Sequence, residues 1–189
     1  MNPDPDSQSL LAQILLLVVL TLINAFLAAS EIAVVSINKN RIEQKAEDGD
    51  KKAKKILKIL ENPTNFLSTI QVGITLVNIL SGASLADSLA ARLAPYIGTS
   101  TAARSMATFI VLAILTYVSI VFGELYPKRI AMNNSEEVAM FTSGVIRVLE
   151  VITKPFVWLL SASTNLLSRI TPMPFDEEGN LLLFKQAKQ

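Results

Sequence analysis

Hydrophobic residues dominate three stretches of the chain, at residues 10–37, 66–91 and 105–132, and each stretch holds few charges. Crossing the hydrocarbon core of a bilayer, about 30 Å thick, takes about 20 residues of α-helix. Charged residues make up 17% of the chain and its mean hydropathy is +0.44, whereas soluble domains carry roughly 25% charged residues. The pattern predicts an all-α integral membrane protein with three transmembrane helices.

The segment between the first two apolar stretches is basic and has helical periodicity. Between residues 39 and 61, apolar residues recur among lysines and Gly49 interrupts them, which predicts a helical hairpin on the membrane surface. Lys and Arg accumulate in cytoplasmic loops, so we place the hairpin in the cytoplasm, the N-terminus outside and the C-terminus inside. The predicted location is the inner or plasma membrane. The lysines indicate either a solvated face near anionic headgroups or a specific nucleotide or lipid site.

A further apolar region, residues 136–170, carries Arg147, Glu150 and Lys154 on one helical face and is interrupted by Pro155. Two cations at the bilayer centre would cost on the order of 5–7 kcal/mol, whereas each Leu, Ile, Val or Phe contributes only ~0.3–0.6 kcal/mol. We therefore predict a juxtamembrane belt helix lying in the interface. Residues 1–170 then form one transmembrane domain, and residues 171–189 are a polar linker or tail.

An acid and a proline close the third apolar stretch. Glu124 lies at or just inside the membrane boundary, where an ionisable residue is a functional-site candidate by default. Pro127 has no N–H to donate to the carbonyl of Gly123, and its ring pushes against that carbonyl. The sequence thus predicts a helix kink at Pro127 with a free backbone oxygen beside a carboxylate, and hard cations are bound by oxygen.

Polar side chains form stripes along the other two spans. The stripe of the first span comprises Thr21, Asn24, Ala28 and Glu31, and that of the second comprises Ser68, Gln71, Thr75 and Asn78. Packing should turn these stripes towards one another to keep them out of lipid, so they predict either interhelical hydrogen bonds or an ion site. Glu31 fits a helix cap, a partner for a loop lysine or an ion contact.

Small residues recur at a spacing of four in the second span, at Gly82, Ala86 and Ala90. Such spacing lets helix backbones approach closely. It predicts either a contact within the chain or a seam between two copies.

Composition excludes several kinds of chemistry. The chain has no His and no Cys, so thiolate or imidazole metal sites and His-based catalysis are absent, and any metal must be held by oxygen. The net charge of +1 provides no basic footprint for nucleic acid. One intramembrane Glu without a base partner offers little catalytic chemistry. We expect neither an enzyme nor a nucleic-acid-binding protein.

Three motifs resemble the transmembrane domain of the CorC/cyclin M family of magnesium transporters, which includes haemolysin-like bacterial members. They lie at residues 24–33 (NAFLAASEIA), 62–76 (NPTNFLSTIQVGITL) and 122–128 (FGELYPK), the last being the most specific. The resemblance runs from about residue 10 to residue 170. It implies three transmembrane helices, a belt helix, a homodimer, and a cytoplasmic pair of cystathionine-β-synthase-type modules that bind ATP and lie outside this chain.

The resemblance also implies an activity and a ligand set. The activity is export of Mg²⁺ driven by inward Na⁺. Carried over by motif position, the cation ligands are Glu124, the Gly123 carbonyl, Asn78 and a first-helix serine, here Ser30. Further candidate ligands in the second span are Thr75 and Ser68. Many relatives have Ser-Gly where this chain has Ala28-Ala29, and Asn where it has Ile74 or Thr75, so fewer amide ligands are present.

We therefore expect a homodimeric transporter domain that binds Mg²⁺ in a polar cavity open to the cytoplasm. Mg²⁺ takes six oxygens at about 2.0–2.1 Å, and a carboxylate, a carbonyl, an amide and hydroxyls supply most of them. Two alternatives stand beside it: a magnesium-sensing regulatory module without transport, and a membrane anchor that dimerises cytoplasmic domains. The residues leave open the direction of transport, the coupling ion and the choice among Mg²⁺, Mn²⁺ and Ca²⁺.

Overall fold

The computed structural model describes the backbone of residues 5–170 and the side chains of residues 10–167. Within that range the chain is all-α, as predicted. The helices are α1 (Pro5–Ser36), α2 (Lys39–Glu47), α3 (Lys51–Glu61), α4 (Pro63–Ile97), α5 (Thr101–Ile120), α6 (Tyr126–Asn133) and α7 (Ser135–Ile170), with a π-helical turn (Val121–Leu125) between α5 and α6.

Three segments are long and apolar enough to cross a membrane. They are Leu10–Ser36 in α1, Pro63–Ile97, which is α4, and Thr101–Asn133, which comprises α5, the π-helical turn and α6. The three predicted spans are therefore confirmed. The second is longer than predicted at both ends. It begins at Pro63, whose fixed φ suits the first helical turn. It ends at Ile97 and is capped by Gly98, whose amide donates to the Ala94 carbonyl. The φ of Gly98 is +155°, a backbone conformation that favours glycine.

The predicted hairpin is present as α2 and α3, each begun by a side-chain cap. Asn38 accepts a hydrogen bond from the Arg41 amide, and Asp50 accepts from the amides of Lys52 and Ala53. Such caps satisfy amides that the first helical turn leaves without partners. Gly49 lies between the two helices with φ of +95°, which glycine adopts without strain. The boundary that Gly49 predicted is therefore the turn of the hairpin.

The hairpin and the start of α7 share one apolar core with the spans. Ile42 and Ile56 of the hairpin are fully buried with Phe66 of α4 and Ala28 of α1. Glu136, in the first turn of α7, pairs with Lys45 and with the Arg41 side chain, at 3.0 Å from Arg41 Nε. An acid at this helix terminus also complements the helix dipole. Apolar burial and ion pairs together hold α2 against the beginning of α7.

The chain divides after Thr153 into two units. The first contains the three spans, the hairpin and α7 as far as Thr153, where Phe141 packs edge-on against Phe26 of α1 with ring centroids 6.3 Å apart. In the second unit, α7 continues helically to Ile170 through Pro155. The helix predicted over residues 136–170 is thus present, and it is not among the three segments apolar enough to span a membrane. The linker predicted over residues 171–189 lies outside the described residues.

Candidate cation site

Three polar side chains from three helices meet in the membrane-spanning region, and we call them the amide cluster. Asn24 of α1 directs its Nδ2 towards Asn78 Oδ1 of α4 (3.4 Å) and Ser119 Oγ of α5 (3.3 Å). Ser119 Oγ also donates to Asn78 Oδ1 at 2.7 Å. Helix packing has therefore brought one residue from each of the two predicted stripes, Asn24 and Asn78, together with Ser119 of the third span.

Asn24 is the buried centre of the amide cluster. Its exposed fraction is 1%, and its Oδ1 has no hydrogen-bond donor among the described residues. A buried acceptor without a partner costs about 1–3 kcal/mol, so it is a position where a donor or a cation would be favourable. The sequence identified Asn24 only as a member of a stripe, because periodicity gives the face of a helix and not which residue on it is central.

Gly123 allows α1 to approach the third span. A Cβ at this position would lie 2.8 Å from Asn24 Nδ2 and 3.3 Å from Asn24 Cβ. Both distances are shorter than ordinary van der Waals contacts, and the first is one that real side chains essentially never show. Gly123 is therefore required by the close packing of Asn24, whatever its carbonyl binds.

The backbone around Pro127 has a different register from the one assumed in the sequence prediction. That prediction assumed α-helical hydrogen bonds, which leave the Gly123 carbonyl without the Pro127 amide. In the structure residues Val121–Leu125 form a π-helical turn, and the Tyr126 amide donates to the Val121 carbonyl. Continued by one residue, the π register would leave the carbonyl of Phe122, and not that of Gly123, without a donor, because Pro127 has no N–H. Such π-turns occur frequently at functional sites.

Two carboxylates and one ammonium form a second group, which we call the acid pair with Lys128. Lys128 Nζ lies 2.8 Å from Glu124 Oε1 and 3.0 Å from Glu31 Oε2. All three side chains are partly buried, with exposed fractions of 27% for Lys128, 35% for Glu124 and 21% for Glu31. Of the readings left open for Glu31, pairing with a lysine is the one observed, but the lysine comes from the end of the third span and not from the first loop.

The amide cluster and the acid pair lie along the same helices. Asn24 and Glu31 are seven residues apart on α1, which corresponds to about 10 Å along a helix axis. Ser119 and Glu124 are separated by five residues in the third span. The acid pair is therefore nearer to the ends of α1 and α6 that connect to the hairpin and α7, and the amide cluster lies about two turns deeper.

The remaining predicted ligands stand apart from both groups. Ser30 is fully buried and donates to the Phe26 carbonyl of its own helix at 2.6 Å. Thr75 is exposed and Ser68 is half-buried on the face of α4 that carries Asn78. No hydrogen bond links Ser30, Thr75 or Ser68 to the amide cluster or the acid pair in the described part of the chain.

The small residues of α4 divide between two environments. Ala86 and Ala90 are buried in an apolar cluster with Ala107, Val111 and Leu115 of α5. A Cβ at Gly82 would meet no atom within 4 Å. Ala86 and Ala90 thus make contacts within the chain, whereas the Gly82 position faces open space.

A metal at this site would rely mostly on neutral oxygens. Among the described residues no group of three or more His, Cys, Asp or Glu side chains is close enough to hold one metal ion. The available oxygens are the two carboxylates of the acid pair, the amides and hydroxyl of the amide cluster, and backbone carbonyls of the π-turn. This set suits hard cations.

The family model of the cyclin M transmembrane N-terminal domain matches residues 15–184 of this chain. The chain belongs to that family. Among curated relatives, a UPF0053 protein of Synechocystis is 35% identical over 97% of this chain and 43% of its own length. The UPF0053 inner membrane protein YfjD of Escherichia coli is 33% identical over 82% of this chain and 34% of its own. The family resemblance stated from the sequence motifs is thereby confirmed.

A third relative has a more specific name. The polyamine export protein of Haemophilus influenzae is 29% identical over 83% of this chain and 37% of its own length. This chain spans less than half the length of each of the three relatives.

Proposed function

We propose that this domain carries a cation across the membrane, and that Mg²⁺ is its cargo. The observation that supports this most is the unpartnered Oδ1 of Asn24, buried two turns deeper than the acid pair. A cation attracted to Glu31 and Glu124 could move to the amide cluster along α1. There it would meet the oxygens of Asn24, Asn78 and Ser119.

The oxygen set matches what Mg²⁺ requires. Mg²⁺ binds through one or two carboxylates and retains several waters. Glu124 is the carboxylate next to Gly123, and Gly123 packs on Asn24. The two carboxylates of the acid pair and the two amides and hydroxyl of the amide cluster lie at different levels, so each level offers few protein oxygens and would bind weakly enough to release its cargo. Export driven by inward Na⁺, as the family resemblance implies, is the direction we propose.

Flux measurements test the cargo. The protein is reconstituted in liposomes containing a magnesium dye, and binding is measured separately by calorimetry in detergent. We expect Glu124→Gln to weaken Mg²⁺ binding at least tenfold and to reduce flux in parallel. Asp87→Asn removes the charge of an exposed acid on α4 and should change neither. Wild-type binding by Glu124→Gln would refute the site, and binding without flux would favour the magnesium-sensing alternative.

A second cargo is favoured by one observation. The ammonium of Lys128 already lies between Glu31 and Glu124, so the acid pair accommodates a primary alkylammonium group. Polyamines present the same group, and one relative is named a polyamine export protein. Spermidine and Mg²⁺ are therefore compared as competitors. Displacement of bound Mg²⁺ by spermidine in wild type, but not in Glu31→Gln, would assign alkylammonium ions to this site.

We also propose that the domain acts as a homodimer in the inner or plasma membrane, with the hairpin on the cytoplasmic side. Gln71, Thr75 and Asn78 form an exposed polar face on the spanning helix α4, and polar groups facing lipid are unfavourable. A second copy or a water-filled path would cover them. Cysteine cross-linking at Gln71 and Thr75 tests the dimer, and cross-linking without any cation binding would favour the anchor alternative.

A further inference from the structure

A small cavity separates the hairpin from the first part of α7, away from the amide cluster and the acid pair. Its volume is about 180 Å³. The residues that line it are Lys55, Lys58 and Ile59 of α3 and Ser143, Arg147 and Glu150 of α7. The walls therefore bring together side chains from two elements that are far apart in sequence.

The charge of the lining is predominantly positive. Among the described residues, no carboxylate oxygen forms an ion pair within 4.0 Å of Lys55, Lys58 or Arg147. In contrast, Lys45 and Arg41 of the same hairpin both pair with Glu136. Glu150 is the acid in the lining. Burial raises its pKa, and the neighbouring Arg147 opposes that shift.

We propose that this cavity binds a phosphate group, either that of an anionic phospholipid or free phosphate. Arg147 provides a planar fork suited to phosphate oxygens, and the two lysines provide ammonium groups from the opposite wall. Glu150 lines the same cavity without an ion pair to Arg147 among the described residues, so the guanidinium remains available to an anion.

The size of the cavity limits the ligand. Pockets for drug-sized molecules and cofactors occupy roughly 300–1,000 Å³, so 180 Å³ accommodates a phosphate headgroup and not a whole nucleotide. The other face of α7 exposes Phe141, Val145 and Val148, and apolar helix faces of this kind contact lipid. A phospholipid could therefore reach the cavity from the side of α7. Its binding would join α3 to α7.

The test compares two double variants that remove the same number of charges. Lys58→Gln with Arg147→Gln removes cavity residues, whereas Lys51→Gln with Lys54→Gln removes exposed lysines of α3 that lie outside it. The probes are phosphatidylglycerol in phosphatidylcholine nanodiscs, with retained lipid measured by mass spectrometry, and inorganic phosphate in detergent, measured by calorimetry. Circular dichroism verifies that the variants keep their helical content.

We expect the cavity variant to lose at least tenfold in affinity for one of the probes, and the matched control to lose less than threefold. Loss confined to phosphatidylglycerol assigns the site to lipid, and loss with inorganic phosphate assigns it to the free anion. If the two variants lost affinity equally, the loss would be due to general surface charge, and the proposal would be overturned. So would the absence of binding of either probe to the wild type.

Discussion

The amide cluster and the acid pair lie two turns apart on α1, yet they are opposite in kind. Asn24 is neutral, buried and left with an acceptor that has no donor among the described residues. Glu31 and Glu124 are charged, partly exposed and share the single ammonium of Lys128, which compensates one of their two negative charges. Acceptors remain at both levels, because Glu31 Oε2 lies 3.0 Å from Lys128 Nζ but, like Asn24 Oδ1, has no hydrogen-bond partner among the described residues. In the proposed transport, an entering cation would compete with Lys128 at the acid pair before it reaches Asn24.

The largest effect is expected at Gly123, where the backbone of the third span packs closely on Asn24. Gly123→Ala would place a methyl carbon 2.8 Å from Asn24 Nδ2, and overpacking of this kind typically costs about 1–3 kcal/mol. We expect a lower thermal-unfolding midpoint and loss of cation binding. The matched control is Gly82→Ala, where a Cβ meets nothing within 4 Å. Equal stability of the two variants would contradict the close packing of Asn24 on the third span.

The next effect tests whether Lys128 competes with the cargo. Lys128→Met leaves Glu31 and Glu124 facing each other without a counter-charge, which should lower the stability of the cation-free protein by about 1–2 kcal/mol for partly buried groups. Because the competing ammonium is gone, the apparent affinity for Mg²⁺ should rise severalfold, as measured by calorimetry. Lys52→Met, at an exposed position of α3, is the control. Weaker binding in Lys128→Met would mean that Lys128 supports the site and does not compete for it.

Sequence patterns predicted the elements better than the contacts. Hydropathy located the three spans because burial in lipid acts on whole stretches of the chain. Helical periodicity and Gly49 located the hairpin because these signals act within a few residues. The partner of Glu31 is Lys128, almost a hundred residues away. Local sequence patterns cannot predict a pairing between residues so far apart in the chain. The π-turn was also missed, because proline indicates where an α-helix is disturbed but not which register replaces it.

Asn24 illustrates the same limit within one stripe. The stripe correctly predicted the face of α1 that packs on the other spans, but it did not distinguish Asn24 as the buried centre or identify the partner of Glu31. Their different roles depend on Gly123, whose missing side chain admits Asn24 at one level of the third span, and on Lys128 at another. Both depend on the packing of helices that are distant in sequence. The site was therefore predicted as a region, and the structure divides it into two levels.

A smaller effect is expected at Glu136. Its ion pairs have the opposite arrangement of charges from the acid pair with Lys128. Here one acid lies between two cations, Arg41 and Lys45. The cations are largely exposed, so Glu136→Gln should cost no more than about 1 kcal/mol. Hydrogen exchange should increase in α2 and leave α4 unchanged. Increased exchange throughout the spans would show that the hairpin stabilises the whole domain and not only its own attachment.

The smallest effect concerns Glu150, an acid without an ion pair within 4.0 Å among the described residues. Burial raises its pKa above the ordinary 4.5, so the folded protein binds this proton more tightly than the unfolded chain. Stability should therefore fall as the pH rises from 4.5 through the raised pKa, and then level off. Glu150→Gln should remove that part of the pH dependence of the unfolding midpoint. An unchanged profile would mean that Arg147 offsets the effect of burial completely, so that the pKa of Glu150 is not raised in the folded protein.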